Sequence, residues 1–111
     1  MKLVYVAHPY KGSIDNAENA KKSIEALYQM HPNMTFVSPI HGLCCPYDSV
    51  AYYVGLSYCL ELLNRCDYLL MIGNYENSTG CQAEMAFARK MNIPIKTLED
   101  LMEEDWEQCK S

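Results

Sequence analysis

Short apolar runs that alternate with helical stretches constrain this chain more than any other feature. "KLVYVA" (2–7), "MTFVS" (34–38), "DYLLMIG" (67–73) and "IPIK" (93–96) are four such runs. Each is continuous rather than alternating, the pattern of a strand covered on both faces. Between them the apolar residues recur at helical spacing. One helix is expected to start at an Asp15/Glu18 capping box and run to about Met30, with Ala17, Ala20, Ile24 and Leu27 inward. A second, capped by Asp48 or Ser49, is expected to end near Arg65. A third opens on a Thr79/Gln82 capping box and covers 80–92, and a last, acidic helix runs from Leu98 to about Gln108. This alternation predicts an α/β fold: a short parallel sheet of about four strands between two layers of helices. With 111 residues there is room for one core, so 1–111 is expected to be a single domain.

Charge and composition exclude several functions. The net charge of -5 argues against a nucleic-acid polymer or an anionic membrane as partner, because both need clustered Lys and Arg. No apolar run approaches the roughly 20 residues of a membrane span. "MKLVYVAHPY" is too short and too polar for a signal peptide, so a cytoplasmic protein is expected. Of the six cysteines, Cys59, Cys66 and Cys81 sit inside apolar helical patterns, where a reduced thiol acts as a small hydrophobe. Cys44 and Cys45 follow His41, but no C-x-x-C or H-x-x-x-H partner completes a metal site. No metal and no cofactor are expected.

In a parallel sheet, ligands bind beyond the carboxyl ends of the strands. The loops expected there are "AHPYKGS", "SPIHG" and "GNYENSTG". They supply His8, Tyr10, Lys11, Ser13, His41, Asn77, Ser78 and Gly80 as candidate ligand contacts. Helix N-termini suit anions, which draws attention to Ser78, Thr79 and Gly80 and to Lys11, Gly12 and Ser13. Neither set forms a complete phosphate-binding loop. Tyr5, Tyr10, Tyr47 and Tyr75 are placed to stack on a base.

Glu84 is the candidate catalytic residue. At about 100° per residue, Cys81, Ala83, Met85, Phe87, Ala88 and Met91 form an apolar arc with Glu84 in its middle. A carboxylate pointing the way of the buried face is either a structural group paired with Lys11 or a tyrosine hydroxyl, or a partly desolvated nucleophile or base at the floor of a cleft.

The segments "VYVAHPYKGS", "SPIHG", "CDYLLMIGNYENSTGCQAEMAFA" and "IPI" together resemble the nucleoside 2-deoxyribosyltransferase-like superfamily over residues 2–96, and most closely its short branch with an S-x-G-x-x-x-E segment. The resemblance implies a flavodoxin/Rossmann-like three-layer sandwich. It implies that Glu84 attacks the anomeric carbon of a nucleoside or nucleoside 5′-monophosphate. Serine at position 78 resembles the nucleotide hydrolases of that superfamily, where it helps hold the 5′-phosphate. One departure stands out: the aspartate common about eight residues before Asp67 is here Cys59, which leaves Glu61 or Asp15 to supply the acid–base step, or no residue at all.

The expected function is therefore an N-glycosidase or N-glycosyltransferase with a glutamate nucleophile. The alternatives are a nucleotide-binding sensor that lost catalysis and an NAD-type or cytokinin-activating glycosidase. The helix "SVAYYVGLSYCLELLNR" is apolar nearly all round, which predicts a symmetric homo-oligomer, most simply a dimer.

Overall fold

The computed structural model describes residues 1–9, 14–39 and 52–101, without the side chains of 14–17 and 52. Four strands form one sheet: β1 (Lys2–Ala7), β2 (Met34–Val37), β3 (Tyr68–Met71) and β4 (Ile95–Lys96). All pairings are parallel and the order is β2-β1-β3-β4. Helix α1 (Ile14–Met30) links β1 to β2; α2 (Tyr52–Leu63) precedes β3; α3 (Thr79–Lys90) links β3 to β4. A further helix opens at residue 98. The expected α/β architecture is present.

Successive side chains of a strand point to opposite faces, so each apolar run feeds two cores. Val4, Val6, Leu70 and Ile72 pack with Phe36, Leu27 and Leu101 on one face. Tyr5, Ala7, Leu69 and Met71 pack with Leu63, Cys81 and Ala88 on the other. Leu69 and Leu70 are wholly buried, each contributing about 1.5–3 kcal/mol by that burial. This double coverage is why the runs are continuous.

Helix boundaries differ from the sequence expectation in physically simple ways. Helix α1 already includes Ile14, so Asp15 lies in its first turn and does not cap it. Helix α3 is capped by Ser78, whose oxygen accepts from the Cys81 amide at 3.3 Å, and Thr79 is the first helical residue. A reciprocal capping box does form at Thr97 and Asp100, with bonds of 3.3 and 2.9 Å. Helix α2 ends at Leu63 because Arg65 and Cys66 turn back onto the carbonyls of Leu62 and Leu63. Its expected capping residues, Asp48 and Ser49, lie outside the described residues. Strand β4 is short: Pro94 has no N–H to give, although its carbonyl takes the Leu69 amide at 2.9 Å.

From β1 the chain crosses to β2 on one side, and from β3 it crosses to β4 on the other. The switch point therefore lies between the carboxyl ends of β1 and β3, the place where ligands bind in sheets of this kind. Among the described residues, no helix is long and apolar enough to cross a membrane.

Candidate active site

Helix α3 rises from the end of β3 after a single 3₁₀ turn, Tyr75–Asn77. Its buried residues are Cys81, Glu84 and Ala88, at spacings of three and four, the narrow stripe that faces the sheet. The apolar arc read from the sequence is narrower in the fold: Met91 is exposed, whereas Ala83, Met85 and Phe87 are half-buried. Glu84 is only 7% exposed. Burial pushes its carboxyl up from an ordinary 4.5 to about 7, with the Tyr5 hydroxyl pulling the other way. Such a group changes charge near neutral pH, the range that suits a general acid or base.

Tyr5, in the middle of β1, is wholly buried beneath α3. Burial raises its hydroxyl far above the ordinary value, and the neighbouring Glu84 and Cys59 raise it further. That hydroxyl makes no hydrogen bond of ordinary geometry, but it stands close enough to the Glu84 carboxyl to lower its value, as a hydroxyl that turns its proton toward a carboxylate does. Tyr5 thus braces Glu84 from below, instead of stacking on a base.

Ser78 is buried and spends its oxygen on the helix cap. The Thr79 and Gly80 amides are left as first-turn donors without an intrahelical acceptor. Gly80 stands one turn ahead of Glu84, so an anion at this helix end would lie next to the carboxyl-bearing turn. Burial also lifts the Cys81 thiol to about 11, with Ser78 opposing and Glu84 reinforcing the rise. That thiol is inert at neutral pH.

His8 follows β1 directly. Its Nδ1 lies 2.7 Å from the Pro9 carbonyl oxygen. Its other nitrogen faces Gly73, at the end of β3, where a Cβ would stand 2.9 Å from Nε2. Gly73 also has φ of 68°, a left-handed conformation that favours glycine. His8 and Gly73 were brought together by the β1–β3 pairing across the switch point.

The sequence matches the model of a domain of unknown function, DUF4406, over residues 2–97. The chain belongs to the DUF4406 family. No curated protein matches this DUF4406 chain. Its fold is similar to a 2-deoxyribosyltransferase from Bacillus psychrosaccharolyticus, at 17% identity and a TM-score of 0.65, covering 86% of this chain and 70% of that one. A 2-desoxiribosyltransferase from Leishmania mexicana is similar at 17% identity and a TM-score of 0.64, over 87% of this chain and 63% of the other. A conserved protein from Enterococcus faecalis V583 has a TM-score of 0.69 at 17% identity, over 87% and 62% of the two chains. The nucleoside 2-deoxyribosyltransferase-like fold expected from the resemblance is therefore shown.

Not every candidate of the DUF4406 chain lies near Glu84. Asn77 is exposed and its amide donates to Asn74 at 3.1 Å. Glu61, one of the two replacements considered for the missing aspartate, is exposed on α2 and bonded to Arg65 at 2.7 Å. Asp67 binds the Leu3 amide at 2.8 Å, at the opposite end of the sheet from Glu84. Cys59 does reach the site, half-buried beside the Tyr5 hydroxyl. Tyr10, Lys11, Ser13 and His41 lie outside the described residues, as does the Asp15 side chain. Among the described residues, no group of three or more His, Cys, Asp or Glu is placed to hold a metal. Sequence reasoning offered a tyrosine hydroxyl as a partner of Glu84 without saying which, and the structure makes it Tyr5; it missed Gly73 as the bare backbone against His8.

Proposed function

We propose that this DUF4406 protein is an N-glycosidase or N-glycosyltransferase acting on a nucleoside or nucleoside 5′-monophosphate, with Glu84 as nucleophile. The observation that carries the reading is Glu84 itself, a buried carboxyl raised to about 7 on the helix that leaves the carboxyl end of β3. The neighbours whose names describe 2-deoxyribosyl transfer support the choice of a nucleoside sugar. In the scheme, a Glu84 oxygen bonds to the anomeric carbon as the C–N bond to the base breaks. Water then cleaves the glycosyl ester, or a second base takes the sugar. The reading sets the reaction in the cytoplasm, where nucleoside monophosphates are made and buried thiols stay reduced.

The test is incubation with nucleosides, nucleoside monophosphates and NAD, with chromatography for free base. Release that disappears in Glu84→Gln supports the proposal. Binding without release makes the protein a nucleotide sensor, and release from NAD alone makes it an NAD-type glycosidase.

Phosphate recognition by the α3 N-terminus has its own test. Ser78→Ala removes a helix cap and is expected to cost about 1 kcal/mol of stability. If the same hydroxyl helps hold a 5′-phosphate, nucleoside monophosphates bind roughly tenfold more weakly to the variant, on the scale of one charge-assisted hydrogen bond. Nucleosides without phosphate are then nearly unaffected. Equal loss of both ligands, measured by calorimetry, reduces Ser78 to a cap.

A homo-oligomer is also part of the proposal. Helix α2 buries Leu63 and half-buries Cys59, Leu60 and Leu62, but leaves Tyr53, Val54 and Tyr58 exposed, Tyr53 at 80%. A second copy that covers this side fits so apolar a surface. Light scattering at micromolar concentration should give at least twice the chain mass; a monomer refutes it.

A further inference from the structure

The scheme above leaves one proton unassigned, because a base departing from the anomeric carbon is a poor leaving group until it is protonated. We propose that His8 is the general acid–base of this reaction, an assignment that rests on the glycosyl-transfer reading. Its position comes from the sheet: the Ile72 amide donates to the Ala7 carbonyl at 3.1 Å, which sets the residue after β1 against the end of β3. Its orientation comes from Pro9. A carbonyl oxygen only accepts, so the 2.7 Å contact makes Nδ1 the protonated nitrogen and leaves Nε2 to exchange protons. Its Nε2 edge lies against Gly73, an exposed residue without a side chain, where a Cβ would stand 2.9 Å from Nε2 and 3.1 Å from Cδ2.

Four other acidic groups among the described residues are committed elsewhere. Glu61 is tied to Arg65 and Asp67 to the Leu3 amide. Cys66 and Cys81 are buried thiols, each raised to about 11.

The steps balance. With both ring nitrogens protonated, His8 gives its Nε2 proton to the base nitrogen as the C–N bond breaks and Glu84 bonds to the sugar. The Nδ1 proton stays on the ring, donated to the Pro9 carbonyl oxygen. Neutral His8 then takes a proton from water as the water oxygen displaces Glu84, which restores the carboxylate and the imidazolium. In transfer, the incoming base gives up its N–H proton in place of water.

The experiment compares two leaving groups. One substrate set is the nucleosides and nucleoside monophosphates; the other is the matching p-nitrophenyl glycosides, whose phenolate departs without a proton. His8→Ala, and His8→Gln as a second variant that fills the same space, are checked for folding by thermal melts. The expected result is a loss of about 10²- to 10⁴-fold on natural bases and less than tenfold on nitrophenyl glycosides. Gly73→Ala, which pushes the imidazole aside, should show the same split, while Glu84→Gln loses both substrates. Equal losses on both sets in the histidine variants, or no loss on either, overturn the role of His8 while leaving the glycosyl-transfer reading intact. A wild-type protein that cleaves neither set overturns that reading, and the assignment of His8 with it.

Discussion

Glu84→Gln is expected to lose base release by on the order of 10⁴-fold or more while making the protein more stable above pH 7. The two halves have one cause. A carboxyl whose pKa rises from 4.5 to about 7 on folding is disfavoured in its charged form by burial, the larger influence on it. Below about pH 4.5 the group is protonated in both states and costs nothing extra. As pH rises toward 7, the unfolded chain releases the proton and the folded chain retains it, so stability falls across that window. Above 7 the deficit is complete, roughly 3 kcal/mol. Glutamine has nearly the same shape and no charge, so the variant escapes the decline. Melts at pH 4.5 should coincide within a degree or two, whereas at pH 8 the variant should melt on the order of 10 °C higher. A variant less stable than wild type at every pH would instead mean that a buried cation pairs with Glu84, since stranding such a partner costs about 3–5 kcal/mol. Among the described residues no such cation contributes to its titration.

The second large effect is on the pH dependence of the reaction. Only the carboxylate attacks carbon, so kcat/KM on any substrate should fall tenfold per unit below about pH 7, a hundredfold by pH 5. Tyr5→Phe removes the hydroxyl that holds the Glu84 value down, and the acid limb should move to higher pH. Because Tyr5 lies beneath the helix, the shift should appear without a matching change in ligand binding. A profile flat between pH 5 and 8 would remove Glu84 from the nucleophile's role. An acid limb unmoved by Tyr5→Phe would leave Tyr5 as packing only.

Much of this protein is legible in its sequence, for reasons that lie in local periodicity. A strand buried on both faces has to be a continuous apolar run, so "KLVYVA" and "DYLLMIG" disclosed their burial, and with it the parallel α/β class. Helical spacing likewise put Glu84 on the side of Cys81 and Ala88, and all three are buried. The arc was drawn too wide because an angle on a helical wheel does not say where neighbouring elements stop; Met91 lies beyond the sheet and is exposed. Caps failed by one or two residues for a related reason. Several residues near each helix start have side chains able to accept the first amides, and backbone geometry chooses among them, taking Ser78 over Thr79.

What the sequence determined by itself was therefore the identity of the buried elements and the one carboxyl among them, because both are written in spacings of two to four residues. Only the tertiary structure decided who meets that carboxyl. Tyr5 is 79 positions from Glu84 and sits inside an apolar run where one face of the strand reads like the other. The β1–β3 register and the packing of α3 select the face that puts its hydroxyl beside the carboxylate. The same register sets His8 against Gly73, and the outward turn of α2 removes Glu61 from consideration. Contacts between distant segments depend on strand order and on which layer each helix joins. Neither quantity has a local signature, so the partners of Glu84 became visible only once the sheet was assembled.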